Sequence, residues 1–168
     1  LLTSYLRKSY SYPFLNSLNF GEPSENTLYV KTYFTAFEEG ITPYLTVNPH
    51  VNNNGSNDRG FVTNTSLHAS DSGTYLTLRS KQSFVKTSAG FIGQSDGVSD
   101  LIDGVMDWSY TDTGDVLGNV GLTAQFATVN LAGSDSKTVE IDVALGFGYS
   151  EIDSTQAATN SLKSGYKQ

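Results

Sequence analysis

The chain has 168 residues, with 10 Lys and Arg against 17 Asp and Glu and a formal net charge of −7. That length suits one domain, and the acidic balance argues against a nucleic-acid partner, which would be held by clustered Lys and Arg that release counterions. The absence of cysteine excludes a disulfide framework, a cysteine nucleophile and thiolate zinc sites, and the apolar runs fall far short of the ~18 residues that cross a bilayer as a helix.

Aromatic residues are almost all Tyr and Phe, 10 and 9 of them, and these suit half-buried pleated surfaces. The 16 glycines, among many Ser, Thr and Asn, supply turns throughout. An all-β, antiparallel fold is the expectation.

In chain order, residues 28–37 (Leu-Tyr-Val-Lys-Thr-Tyr-Phe-Thr-Ala-Phe) read as a strand with one wetter face, broken at Glu38-Glu39-Gly40. Tyr44-Leu45-Thr46-Val47 alternates and stops at Asn48-Pro49, where proline removes a ladder donor. Residues 52–60 contain no apolar side chain and read as a long exposed loop. Residues 61–69 and 74–79 then form a hairpin about the turn Ser70-Asp71-Ser72-Gly73. A strand over 84–92 leads into a structured loop over 93–115. The segments 118–131 and 137–147 have the clearest period of two, Val139, Ile141 and Val143 alternating with Glu140 and Asp142. The turn 132–136 is expected to join them as antiparallel neighbours. Asp153 or Ser154 can cap a C-terminal helix through Ala157, Ala158 and Leu162, with Gly165 as its terminator.

Six aspartates at 96, 100, 103, 107, 112 and 115 offer hard oxygen ligands, and Asp96 and Asp100 are the candidate ligands for a structural calcium. Their spacing does not match an EF-hand, and solvated turn carboxylates are the plainer reading. No other cofactor is expected. His50 and His68 lie in separate segments without a nucleophile-elbow pattern, and Gly146-Phe147-Gly148 reads as a bend that ends a strand. Glu38 and Glu39 are adjacent and would point to opposite faces of an extended chain, which suits the mouth of a hairpin better than a paired-carboxylate site. Among Tyr10, Tyr12, Trp108, Tyr110, Tyr149 and Tyr166, the candidates to stack on a sugar ring are Trp108, Tyr110 and Tyr149. Asn54-Gly55-Ser56 and Asn64-Thr65-Ser66 match the short glycosylation acceptor pattern.

Several segments taken together resemble bacterial and archaeal glucoamylases and glucodextranases of glycoside hydrolase family 15. They are Tyr33-Phe34-Thr35-Ala36-Phe37, Leu45-Thr46-Val47-Asn48-Pro49-His50, Asn53-Asn54-Gly55 to Asp58, the run from Ser83-Phe84 through residues 89–97 continuing to Asp100-Leu101, Met106-Asp107-Trp108-Ser109-Tyr110, residues 118–123, and Ala144-Leu145-Gly146-Phe147-Gly148. They follow in the family's order from about Leu28 onward. Where the family usually has Trp-Gln, this chain has Val98-Ser99.

The resemblance implies the amino-terminal domain of such an enzyme, a two-sheet antiparallel β-sandwich of the supersandwich type. It divides the chain into a sandwich over residues 1–152, lacking its first strands, and a helical linker over 153–168 toward an (α/α)6 catalytic barrel elsewhere in a longer polypeptide. It implies secretion to an extracellular or periplasmic place, and a parent enzyme that releases glucose from α-glucans with inversion, its general acid and base coming from the barrel. The segment itself would be a noncatalytic support packed on that barrel, with no catalytic residue of its own. The alternative reading is a stand-alone carbohydrate-binding β-sandwich module.

Overall fold

The computed structural model describes residues 2–3, 14–24, 26–53, 57–91 and 116–168. Its strands are β1 (Leu2–Thr3), β2 (Phe14–Phe20), β3 (Thr27–Ala36), β4 (Tyr44–Val47), β5 (Asp58–Val62), β6 (Ser66–Asp71), β7 (Thr74–Ser80), β8 (Lys86–Phe91), β9 (Val116–Gly118), β10 (Val120–Gln125) and β11 (Lys137–Gly148), followed by the helix α1 (Glu151–Ser164). A larger sheet has the order β1-β2-β3-β11-β7-β6-β5-β9, and a smaller one the order β4-β10-β8. Every described pairing is antiparallel. The chain forms the all-β antiparallel fold expected from composition, as the two-sheet sandwich that the resemblance implies.

The long strand β11 organises the larger sheet, pairing β3 from Lys137↔Ala36 to Gly146↔Thr27 and β7 from Val143↔Ser80 to Gly148↔Tyr75. Its alternation separates two environments. Ile141 and Val143 face the core between the sheets, where Val62, Leu67, Ala69 and Leu78 meet Ala89, Val120, Leu122, Ala124 and Phe126. Leu67, Val120 and Leu122 are almost wholly buried, each worth about 1.5–3 kcal/mol relative to exposure. A second cluster, Phe34, Ala36, Val129 and Leu131, closes one end of the sandwich.

The other face of β11 carries Asp142, Ala144 and Gly146, all buried, because α1 covers part of it. The helix starts three residues before the expected cap. The Ser150 hydroxyl accepts the Asp153 N–H at 3.1 Å, so Ser150 is the N-cap. Glu151 and Asp153 in the first turn and Lys163 in the last complement the helix dipole, and Gly165 ends the helix as expected, its N–H bonding Ser161 O at 3.1 Å. Gly146 is what lets the helix approach. A Cβ there would lie 2.1 Å from the Ser154 carbonyl oxygen and 2.4 Å from the Ala158 nitrogen. The Gly146-Phe147-Gly148 segment read as a bend is therefore continuous strand, lying beneath a helix.

Four other expectations are corrected. Segments 118–131 and 137–147 are not neighbours: β10 pairs β4 and β8, while β11 pairs β3 and β7. The chain crosses between sheets through an isolated bridge, Val129↔Ile41, and a turn closed by the Ser134 N–H on Leu131 O at 3.0 Å. Glu38-Glu39 is likewise not a hairpin mouth, since β3 and β4 lie in different sheets. Glu39 instead ties the two crossings together, its Oε2 accepting the Leu131 N–H at 3.0 Å. The expected loop 52–60 yields its last three residues to β5, in which Asp58 and Gly60 are buried. The strand expected over 61–69 is two strands, separated by a turn in which the Thr63 N–H bonds Ser66 O at 2.9 Å. The hairpin partner of β7 is thus β6, and Asp71↔Thr74 leaves the two-residue turn Ser72-Gly73 with φ of 49° and 82°, the left-handed pair that suits the twist of a hairpin.

Candidate functional site

The seam between α1 and the larger sheet is polar. His68, buried on β6, lies between two hydroxyls, with Nε2 at 2.7 Å from Ser66 Oγ and Nδ1 at 3.0 Å from Thr77 Oγ1. Thr77 Oγ1 continues the chain to Ser154 Oγ on the helix at 2.7 Å, and Arg79 Nη1 donates to Thr159 Oγ1 at 2.7 Å. Phe61 stacks on the imidazole with centroids 4.3 Å apart and planes 8° from parallel. Burial pushes the His68 pKa below its ordinary value. The Ser66–His68 pair resembles the start of a nucleophile–base relay, but a hydroxyl stands where an orienting carboxylate would be needed, and both residues are buried. Thr77 and Arg79 hold the helix to the sheet.

A second cluster surrounds Asp142 on the same face. Tyr29 donates its hydroxyl to Asp142 Oδ2 at 2.7 Å, and Lys31 Nζ lies 3.6 Å from that oxygen while pairing with Glu140. Burial, then the bond to Asp142, raises the Tyr29 pKa, so the phenol stays a donor. The hydrogen bond to Glu140 raises the Lys31 pKa, and the same contact lowers that of Glu140. Asp58, fully buried on β5, has its pKa raised by burial; the Val51 N–H reaches its Oδ2 at 3.4 Å.

Of the clefts among the described residues, three adjoin the core or α1. The first, about 330 Å³, lies between the sheets and is apolar, lined by Leu18, Phe34, Ile41, Pro43, Leu45 and Phe126. The second, about 720 Å³, opens beside the first turns of α1, between Tyr149, Thr74 and Asn26 on one side and Asp153, Gln156, Ala157 and Asn160 on the other. The third, about 270 Å³, shares Asn26, Ala157 and Asn160 with the second and runs on to Glu22, Ser161 and Lys167. The second and third therefore make one groove along a helix face, with Asp153, Gln156, Ala157 and Asn160 at the spacing of neighbours on one stripe. Each of these clefts holds at most one carboxylate, the second Asp153 and the third Glu22.

Of the residues singled out from sequence, Tyr149 stands in the wall of this groove and is 88% exposed. Trp108, Tyr110, Tyr10, Tyr12, Asp96 and Asp100, and the whole segment 92–115, lie outside the described residues. Tyr166 is engaged: its ring meets Tyr29 edge-on at 5.8 Å and its hydroxyl donates to Phe20 O at 3.2 Å. Among the described residues no group of three or more His, Asp or Glu could hold a metal ion. Asn26, Gln156 and Asn160 were not picked out from sequence. The stripe on α1 was legible once a helix was expected, but Asn26 comes from a loop that only the fold brings alongside.

Taken together, these features define a two-sheet antiparallel β-sandwich domain with one helix docked on its larger sheet. The family model described as "Glucodextranase, domain N" matches residues 14–168, and the chain belongs to that family. It is 27% identical over 154 residues to a glucoamylase of Clostridium sp. (strain G0005), an alignment covering 88% of this chain and 21% of that protein. Its fold matches the crystal structure of a bacterial glucoamylase complexed with acarbose, with a TM-score of 0.73 and 23% identity over 90% of this chain and 22% of the other. The chain spans about a fifth of the length of these relatives.

Proposed function

We propose that this chain is the amino-terminal support domain of a glucoamylase- or glucodextranase-like enzyme, and that the rest of the polypeptide carries an (α/α)6 barrel with the general acid and base. The observation that carries this reading is the family match over residues 14–168, in a chain about one fifth as long as the glucoamylases it resembles. The clefts support it from the chemical side. Inverting hydrolysis requires two carboxyl groups about 6.5–9.5 Å apart across the scissile bond, and none of the three clefts described above contains two.

In this reading the whole polypeptide releases glucose from the non-reducing ends of an α-glucan with inversion, outside the cytoplasm, and the sandwich packs on the barrel and holds it in shape. The test is to express the polypeptide whole and with residues 1–168 removed, and to follow glucose release from starch and dextran and thermal inactivation. The expected result is α-glucan hydrolysis by the whole polypeptide and faster inactivation without the domain. Hydrolysis by residues 1–168 alone, abolished by Asp153→Asn or Glu22→Gln, would overturn the reading, as would a whole polypeptide inert toward α-glucans. Finding the whole polypeptide in the culture medium or periplasm checks the compartment.

A further inference from the structure

The groove along α1 has a ligand chemistry of its own. Its walls come from separate elements: Tyr149 follows β11, Asn26 precedes β3, and Asp153, Gln156 and Asn160 line one helix stripe. From Asp153 to Ser164 the helix advances roughly 17 Å, and the third cleft extends the groove along that whole length. Asn26 is held in place through its backbone, its carbonyl accepting the Phe147 N–H at 2.9 Å. Among the described residues, no hydrogen bond engages the side-chain amides of Asn26, Gln156 or Asn160. Each amide thus presents both donors and an acceptor to the groove or to water.

Three ligand classes can be weighed against this lining. A phosphate or polyanion requires clustered Lys or Arg, whereas the charged groups here are Glu22, Asp153 and Lys167. A lipid chain or apolar helix requires a continuous apolar trough, and here Phe147, Tyr149 and Ala157 are interrupted by amides, hydroxyls and a carboxylate. A neutral sugar presents hydroxyls that each donate and accept, together with an apolar ring face, and the matching site combines side-chain amides and a carboxylate with an exposed aromatic ring. The groove has all of these, and its length admits a chain of rings rather than one.

We infer that the groove between Tyr149, Asn26 and the Asp153–Asn160 stripe of α1 is a binding site for a neutral oligosaccharide. Tyr149 supplies the stacking face, and Asn26, Gln156, Asn160 and Asp153 bond the hydroxyls. Such a site would hold a polymer chain beside the enzyme between rounds of hydrolysis. The choice of an α-glucan as probe rests on the function proposed above; the site itself rests on the groove.

The test uses the full-length polypeptide and maltoheptaose carrying a diazirine at its reducing end. After irradiation, labelled peptides are mapped by mass spectrometry with and without excess unlabelled maltoheptaose. The expected result is competable labelling of peptides containing Asn26 or residues 149–160, with the half-saturating concentration raised roughly tenfold by Tyr149→Ala. Tyr149 is almost fully exposed, so this variant should fold; Asn160→Ala, also at an exposed position, is the second variant and should weaken labelling in the same direction. Labelling confined to other parts of the polypeptide would overturn this inference and leave the proposed function standing. Groove labelling insensitive to both substitutions would also overturn it. No competable labelling anywhere would count against both.

Discussion

Gly146→Ala tests the claim that the approach of α1 to the larger sheet depends on one missing side chain. The added Cβ would lie 2.1 Å from the Ser154 carbonyl oxygen and 2.4 Å from the Ala158 nitrogen, both backbone atoms that cannot swing aside. The helix must therefore retreat by roughly 1 Å, and a gap of that size forfeits about a quarter to a half of each contact's attraction. The same retreat stretches the Thr77–Ser154 and Arg79–Thr159 bonds, each 2.7 Å now, beyond useful hydrogen-bonding range. Overpacking costs about 1–3 kcal/mol and the two bonds about 0.5–1.5 kcal/mol each, so the expected loss is about 2–6 kcal/mol. Against a typical domain stability of about 5–15 kcal/mol, that is a large fraction. Guanidinium unfolding followed by circular dichroism reads the loss, and hydrogen exchange of the α1 amides locates it. Gln156→Ala, at an exposed position on the same helix, is the control and should stay within about 0.5 kcal/mol of the parent. A Gly146→Ala protein that unfolds within about 0.5 kcal/mol of the parent, with α1 amides equally protected, would refute the argument.

The buried imidazole of His68 gives a pH signature. Its pKa is depressed in the fold, so below about pH 6.5 the unfolded chain binds the proton first and stability falls as pH falls, until the pH passes through the lowered native value. The unfolding midpoint should drop between pH 7.5 and 5.5, and His68→Gln should flatten that drop; an unchanged slope would remove His68 as its source. Tyr29→Phe takes away the 2.7 Å donor to buried Asp142, and should cost about 1–3 kcal/mol by equilibrium unfolding, more than an ordinary surface substitution. Between the two sheets, a Cβ on Gly60 would sit 2.2 Å from Val120 Cγ1. Gly60→Ala should therefore destabilise, and a double-mutant cycle with Val120→Ala should recover about 1–2 kcal/mol of that loss; strict additivity would show that the two residues do not press on one another.

How much of this was legible before the fold was known differs by kind of signal. The period-two runs of β3, β4, β10 and β11 were plain in the sequence, because alternation reports the two faces of a strand directly. Which strands pair was not. Residues 132–136 look like an ordinary hairpin turn, and nothing local reveals that Val129 bridges Ile41 and carries the chain to the opposite sheet. Asp58 was hidden for another reason: polar and set among Asn and Ser, it reads as loop, yet it is fully buried in β5. The helix face that docks on the sheet is small and polar, with Ser154, Ala157 and Ala158 buried, so it lacks the wide apolar stripe that marks most packed helices. Of the site, Tyr149 was legible as an aromatic candidate and the stripe of α1 as a consequence of helical spacing. Asn26 was not, since it is more than 100 positions away in sequence.

The glycine under the helix and the groove beside it are parts of one arrangement, and two substitutions distinguish them. The groove wall from Asp153 to Asn160 is set by how deeply α1 sits over Gly146, whereas Asn26 and Tyr149 belong to the ends of strands in the sheet beneath. Retreat of the helix in Gly146→Ala would widen the groove by roughly 1 Å, enough to break a bond spanning both walls through one ligand hydroxyl. Tyr149→Ala removes the stacking face and leaves the helix where it is. If the groove binds sugar as inferred, both variants lose competable maltoheptaose labelling, but only Gly146→Ala also loses protection of the α1 amides. Loss of labelling in Tyr149→Ala together with loss of that protection would mean that Tyr149 supports the helix rather than the ligand.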